Sequence, residues 1–374
     1  MKTLLAMCVT LAVLATSGTV TTAHASDVPP DVPELTFSVI SDIHLRAGIS
    51  ERGLPVHDLQ AAQNFAKALL DINRINPSQD ALVINGDLTL TGQQSDYDDM
   101  RRILSKVCHP PTLFTMGNHE YYAAYYDVTG KGNLKHFPNG VTEAQCIGLF
   151  LANTDMPSVY YDIWIKGYHF IVLGSERSRI SNPSYGDGSY LSDTQLTWLH
   201  QKLLAGPPDK PVFVFIHVPL ANTLSDTAKP NNIVIQSDKF VRALSVHRQV
   251  ILFSGHTHRT LMNPSKSMYR NGFILFNDSC VRNPLDEYRR PVGDSEGLYV
   301  QVYKDRVVVN GRDFTHKTWI RQYNVPVTYT PRSRGRMKEE TCTPFETVGK
   351  VSEAPSRPAE YGVDDGGEKI CGFF

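Results

Sequence analysis

Along the chain, short runs of consecutive apolar residues recur at Leu35–Ile40, Ala81–Ile84, Thr112–Met116, Phe170–Leu173, Val212–Ile216 and Val250–Phe253. Runs this short and this continuous read as strands covered on both faces. Between them the apolar spacing becomes helical. Leu59, Ala62, Ala66, Leu69 and Asn73, with Leu70 beside them, predict one helix face, and Tyr97, Met100, Leu104 and Val107 predict another. Ser192-Asp193-Thr194-Gln195 has the form of a capping box, with the serine accepting a backbone amide and the glutamine reaching back. Leu196, Leu199 and Leu203 then supply a buried stripe, and Gly206-Pro207-Pro208 ends that helix. Strands alternating with helices predict an α/β domain with covered sheets. Past residue 270 the pattern turns to strands alone. Phe273–Asn277, Gly297–Tyr303 and Arg306–Asn310 read as a terminal meander, turning tightly at Lys304-Asp305.

The two ends read differently. Lys2, the apolar stretch Leu4–Leu14 and the small-residue sequence Ala23-His24-Ala25 have the form of a secretory signal cut after Ala25. The apolar stretch is shorter than the ~20 residues a spanning helix needs, and no later stretch is apolar enough to span. Residues 1–25 are therefore expected to be a signal peptide and the protein to be secreted, extracellular or periplasmic. Residues 26–325 form the expected main domain. Residues 326–374, rich in Pro, Arg, Glu and Gly, are expected to be a loosely ordered extension.

Composition changes little in this picture. Of 374 residues, 41% are hydrophobic, and 37 Lys plus Arg nearly balance 38 Asp plus Glu. That balance gives no overall electrostatic footprint for nucleic acid or an anionic membrane. Beyond the signal, Cys108, Cys146, Cys280, Cys342 and Cys371 remain. The number is odd, so at least one is free or pairs between chains. No CxxC arrangement occurs, which argues against a thiolate metal site. Cys342 and Cys371 are placed where they could clip the tail.

The polar residues with ligand chemistry fall at strand ends. Asp42 and His44 follow the first apolar run, Asp87 the second, Asn118 and His119 the third, His217 the fifth, and His256 and His258 the sixth. In α/β sheets ligands bind outside the carboxyl ends of the strands, so these groups are expected to meet in one crevice. Gly86, Gly117 and Gly255 supply sharp turns beside them. Imidazole, carboxylate and amide oxygen without thiolate suit a borderline cation such as manganese, zinc or iron. Two such ions can activate a water and clamp both ends of a phosphoryl displacement. Taken singly, each motif has a plainer reading as a turn residue, a surface histidine or a satisfied buried histidine.

Asp42-Ile43-His44, Gly86-Asp87, Gly117-Asn118-His119-Glu120, His217 and Gly255-His256-Thr257-His258 together resemble the five sequence blocks of calcineurin-like metallophosphoesterases. The resemblance spans about 35 to 314. It implies a four-layer α/β/β/α sandwich with two mixed sheets and metal-dependent hydrolysis of phosphate esters, diesters or monoesters. It implies one metal on Asp42, His44, Asp87 and His258, and a second on Asp87, Asn118, His217 and His256, with Asp87 bridging. His119 would bind no metal and would face the leaving oxygen. Two divalent ions are the expected cofactors, manganese first and iron or zinc as alternatives. A small phosphate ester is the expected partner.

Departures narrow the branch. Leu90 stands where purple acid phosphatases carry a metal-binding tyrosine, which argues against an iron–tyrosinate site. Leu88-Thr89-Leu90-Thr91-Gly92 lacks the Asp and Arg that protein Ser/Thr phosphatases place there. The tail is too short for the substrate domain of secreted nucleotidases. A phosphodiesterase-like branch remains. The alternative from another class is a non-catalytic metal-binding scaffold or surface adhesion module on the same fold. Two further features have open readings. Glu120 either orients His119 or caps backbone amides of its turn. Tyr121, Tyr122, Tyr125 and Tyr126 either stack on a base or aromatic leaving group or pack an inserted loop.

Overall fold

The computed structural model describes residues 31–49, 55–127, 131–132 and 134–327. The expected signal peptide and nearly all of the expected extension lie outside the described residues. In chain order the elements are β1 (Leu35–Ile40), the short strands β2 (Ala47–Ile49) and β3 (Pro55–His57), α1 (Leu59–Ile75), β4 (Ala81–Asn85), α2 (Gln94–Lys106) and β5 (Thr112–Thr115). There follow α3 (Glu143–Thr154), β6 (Tyr161–Ile165), β7 (Tyr168–Val172), α4 (Asp193–Ala205), β8 (Val212–Phe215), α5 (Ser237–Leu244) and β9 (Val250–Ser254). The last strands are β10 (Met268–Arg270), β11 (Ile274–Asn277), β12 (Glu296–Val302), β13 (Arg306–Asp313) and β14 (Thr318–Pro326).

Two six-stranded mixed sheets carry the fold, ordered β14-β13-β12-β1-β4-β5 and β10-β11-β9-β8-β7-β6. Parallel pairing runs through β1, β4 and β5 in the first and through β11, β9, β8 and β7 in the second. The sheets meet face to face. Phe37 of β1 packs edge-on against Phe170, Phe213, Phe215 and Phe253 of the other sheet, with ring centroids 4.9 to 6.2 Å apart. Such aromatic contacts add to what burial alone contributes. A separate apolar cluster joins the outer face of the second sheet, through Ile171, Val212, Val214 and Leu252, to Leu196, Leu199 and Leu203 of α4 and to Phe240 and Leu244 of α5. The residues of α1 and α2 pack on the first sheet. This is the α/β/β/α sandwich expected from the sequence.

Several local expectations shift. On α1 the buried stripe is Ala61, Phe65, Ala68, Leu69 and Ile72, while Leu59 and Leu70 are 67% and 52% exposed. The larger Phe65 sets the inward face, so the expected stripe was rotated. The Ser192 box is half formed. Its hydroxyl accepts the Gln195 amide at 3.1 Å, but the Ser192 amide goes to Glu176 Oε2 at 2.7 Å and Gln195 turns to Gly174. The complete box is at α3, between Thr142 and Gln145. Finally, β11 pairs in parallel with β9 in the second sheet. The meander of the first sheet is β12-β13-β14, one strand later than expected.

Candidate metal centre

The ends of β1, β4 and β5 in one sheet and of β8 and β9 in the other deliver every candidate residue to one crevice. Beyond the strands their pairing continues in the loops. Asp42 and His44 donate their backbone amides to the Gly86 and Asp87 carbonyls at 3.1 and 3.0 Å. Gly255 donates its own to the His217 carbonyl at 3.0 Å. Two glycines are required by close approach. A Cβ at Gly255 would overlap Ser41 Oγ and Asp42 Oδ2, and one at Gly117 would overlap Asp87 Oδ1.

Backbone strain marks the same residues. Asp42, His44, Asp87, His256 and His258 all have positive φ, from 43° to 66°. For residues with a Cβ the left-handed region costs about 1–2 kcal/mol each. Such strain persists where the surroundings over-determine it, and it clusters at functional sites.

The side chains form two groups in which the donor atoms lie within 4.8 Å of one another: Asp42, His44, Asp87 and His258, and Asp87, His217 and His256. Asp87 belongs to both. Its Oδ2 lies 3.1 Å from His217 Nε2 and 3.6 Å from His44 Nε2. His44 Nε2 and His258 Nε2 stand 2.9 Å apart, and His258 Nε2 is 2.9 Å from Asp42 Oδ1. Asn118 joins the second group, its Oδ1 2.9 Å from His256 Nδ1. His119 sits at the rim. Its Nδ1 donates to the Leu90 carbonyl at 2.9 Å, its ring stacks on Tyr122 with centroids 4.0 Å apart, and its Nε2 is 3.9 Å from Asp87 Oδ2.

Electrostatics explain why these groups tolerate one another. Burial alone would raise the Asp42 and Asp87 carboxyls. The neighbouring imidazoles, His258 and His217 at Asp42 and His217 and His119 at Asp87, overcome it and hold both below the usual carboxylate range. Burial would likewise lower His217, but Asp87 and Asp42 raise it to about 9. Burial together with the charge of His119 pushes His44 down to about 4, and burial with His217 pushes His256 to about 3. Asp42 Oδ1 and His217 Nε2 are buried with no hydrogen bond of good geometry. Converging lone pairs held together only by shared protons are what a divalent cation replaces, since metal binding releases protons from its ligands. The donor set therefore fits a metal ion in each group.

Supporting residues complete the cradle. Glu120 is the amide-capping carboxylate of the two readings. Its oxygens accept the amides of Gly117 at 2.7 Å and of Asp87 and Thr89 at 3.1 Å. Burial and the charge of Asp87 push it up to about 7. The tyrosines divide. All of Tyr121, Tyr122 and Tyr125 line a cleft beside Asn118, but Tyr121 is buried and donates to the Ser175 carbonyl at 2.6 Å, whereas Tyr122 and Tyr125 are partly exposed. One buried residue escaped the sequence reading. Asp278, fully buried, accepts from Asn85 Nδ2 at 2.5 Å, and the same amide reaches the Phe253 carbonyl at 3.1 Å. Asp278 ends an apolar run as the other site residues do, which is the signal that could have flagged it. Cys146 and Cys280 are free and buried, in keeping with the odd count.

The model of the calcineurin-like phosphoesterase family matches residues 35–260, and the chain belongs to that family. It is 25% identical, over 61% of its length and 73% of the relative's, to a probable cyclic nucleotide phosphodiesterase of Rhodopseudomonas palustris. It is 27% identical, over 59% of its length and 70% of the relative's, to a probable glycerophosphodiester phosphodiesterase of Arcobacter nitrofigilis. Among solved structures, a purple acid phosphatase from yellow lupin seeds shares the fold at a TM-score of 0.51 and 12% identity. That match covers 78% of this chain and about half, 53%, of the lupin chain. Family and relatives together make the protein a hydrolase acting on phosphoric ester bonds, with a candidate metal-binding cluster.

Proposed function

We propose that the protein hydrolyses small phosphodiesters with a water activated between two divalent metal ions. The observation that carries this reading is that Asp87 belongs to both donor groups while His119 Nε2 faces it at 3.9 Å. Asp42, His44, Asp87 and His258 would hold one ion, and Asp87, Asn118, His217 and His256 the other. Manganese suits this oxygen–nitrogen donor set, with iron and zinc as alternatives. Two bound ions supply Lewis acidity, which lowers the pKa of a water and neutralises charge on the phosphate.

The chain's own residues do the rest. The Leu90 carbonyl accepts a hydrogen bond from His119 Nδ1–H and Tyr122 covers one ring face, so Nε2 is aimed at the crevice. As the water oxygen bonds to phosphorus and its proton passes to solvent, the bond from phosphorus to the leaving oxygen breaks and His119 gives its Nε2 proton to that oxygen. Glu120, holding three amides of the turns, keeps Asp87 and the 117–119 segment in register. The relatives' names support a diester substrate. Export through residues 1–25 belongs to the same proposal and rests on their sequence. The test is hydrolysis of bis(p-nitrophenyl) phosphate. Activity that appears with added manganese and vanishes with a chelator supports the reading, and absent or metal-independent hydrolysis overturns it.

A further inference from the structure

The segments after β5 and β7 enclose a cleft that shares a wall with the metal centre. Asn118, Tyr122, Tyr125, Phe137, Arg179 and Asp187 line it. Asn118 Nδ2 lies 3.4 Å from the Tyr122 hydroxyl, which donates to Asp187 Oδ1 at 2.8 Å. Asp187 Oδ2 accepts from Arg179 Nη2 at 2.9 Å. A ladder of rings leads outward from the site. His119 stacks on Tyr122, Tyr122 meets Tyr125 edge-on at 5.2 Å, and Tyr125 stacks on Phe137 at 4.3 Å. Arg179 Nε is buried with no hydrogen-bond partner among the described residues.

We propose that this cleft is the leaving-group subsite and that it takes the planar heteroaromatic base of a nucleotide ester. The proposal rests on the phosphodiesterase reading above, because it assumes that the phosphate sits at the metal centre. Three features select the base. Flat aromatic side chains offer stacking surface, which any nucleobase can use. The Arg179 guanidinium, 38% exposed on the cleft wall, offers N–H donors for a ring nitrogen or carbonyl on the base edge. A choline or other quaternary ammonium group would also favour aromatic rings, but here it would meet the guanidinium groups of Arg177 and Arg179 on the same wall. Among the described residues of that wall only Asp187 opposes them, and it is already bonded to Arg179 and Tyr122. A glycerol group has no use for the ring ladder.

The test is calorimetric binding of AMP and of glycerol 3-phosphate to the manganese-loaded protein, in wild type, Tyr125→Leu and Tyr125→Phe. AMP should bind at least about tenfold tighter than glycerol 3-phosphate to the wild type, the scale of one stacked base. Tyr125→Leu should remove most of that advantage and leave glycerol 3-phosphate unchanged. Tyr125→Phe, which keeps the ring, should retain it and shows that the position tolerates substitution. Equal binding of the two ligands, or equal losses for both in Tyr125→Leu, would overturn the subsite. Hydrolysis of bis(p-nitrophenyl) phosphate by the same preparations reports on the function separately. A protein that binds AMP through Tyr125 but cleaves no diester would overturn the proposed function and support the subsite.

Discussion

His217 donates Nδ1–H to the Asn85 carbonyl at 2.8 Å. A carbonyl can only accept, so that bond fixes a proton on Nδ1 and turns Nε2 toward Asp87 Oδ2, 3.1 Å away. It also crosses between the sheets, since Asn85 ends β4 in one and His217 follows β8 in the other. The spacing of the two sheets thus sets the geometry of the donor cluster. Partners of this kind, one bond behind a metal ligand, fix ring orientation and ligand basicity.

Asp87 is the residue on which both donor groups depend. Asp87→Asn keeps the size and removes the charge. Diesterase turnover with manganese should fall by at least about a hundredfold, because the shared ligand between two ions is lost. Asp193→Asn, an exposed change at the start of α4, should stay near wild type. Comparable losses in the two variants would place the site elsewhere.

His119 tests the proton-transfer step. General acids typically contribute about 100- to 10,000-fold, and the contribution grows as the leaving group becomes more basic. His119→Ala should keep its metal, lose turnover heavily on alkyl diesters and lose far less on p-nitrophenyl esters. Depleted metal with equal losses on both ester types would instead mark His119 as a support of Asn118.

Asp278 gives a prediction about stability. Asp278→Ala removes an acceptor from the buried Asn85 amide, which costs about 1–3 kcal/mol. Asp278→Asn keeps an acceptor and should cost less. Burial holds the Asp278 carboxyl well above its usual range. A raised carboxyl contributes stability that is present below its unfolded pKa and is lost as pH rises through its folded pKa. In metal-free protein, wild type should therefore lose ground to Asp278→Asn as pH rises from about 4, the unfolded value. Denaturant midpoints at several pH values check this, and a pH-independent difference between the two would contradict it.

The site was legible in the sequence because strand ends and ligand chemistry coincide. Asp42, Asp87, Asn118, His217 and His256 each follow an apolar run, and parallel pairing puts such ends side by side. The strain was not legible, because φ depends on the loops that hold Asp42, His44, Asp87, His256 and His258 in place. Asp278 also follows an apolar run, but it stands outside the five sequence blocks, so the resemblance did not point to it. The strand β14 was hidden by its polarity. It pairs only with β13, most of its side chains face outward, and Val325 alone is buried. The placement of β11 failed because run length predicts a strand but not its partner. The chain changes sheets between Asn277 and Glu296, and no local pattern records that crossing.

The most direct test of the account is metal content by mass spectrometry of wild type and Asp87→Asn, each saturated with manganese and then desalted. Two donor groups sharing one carboxylate predict about two ions per chain in the wild type and a marked loss in the variant. A wild type that holds one ion or none, or a variant that holds as much as the wild type, would contradict a centre built around Asp87.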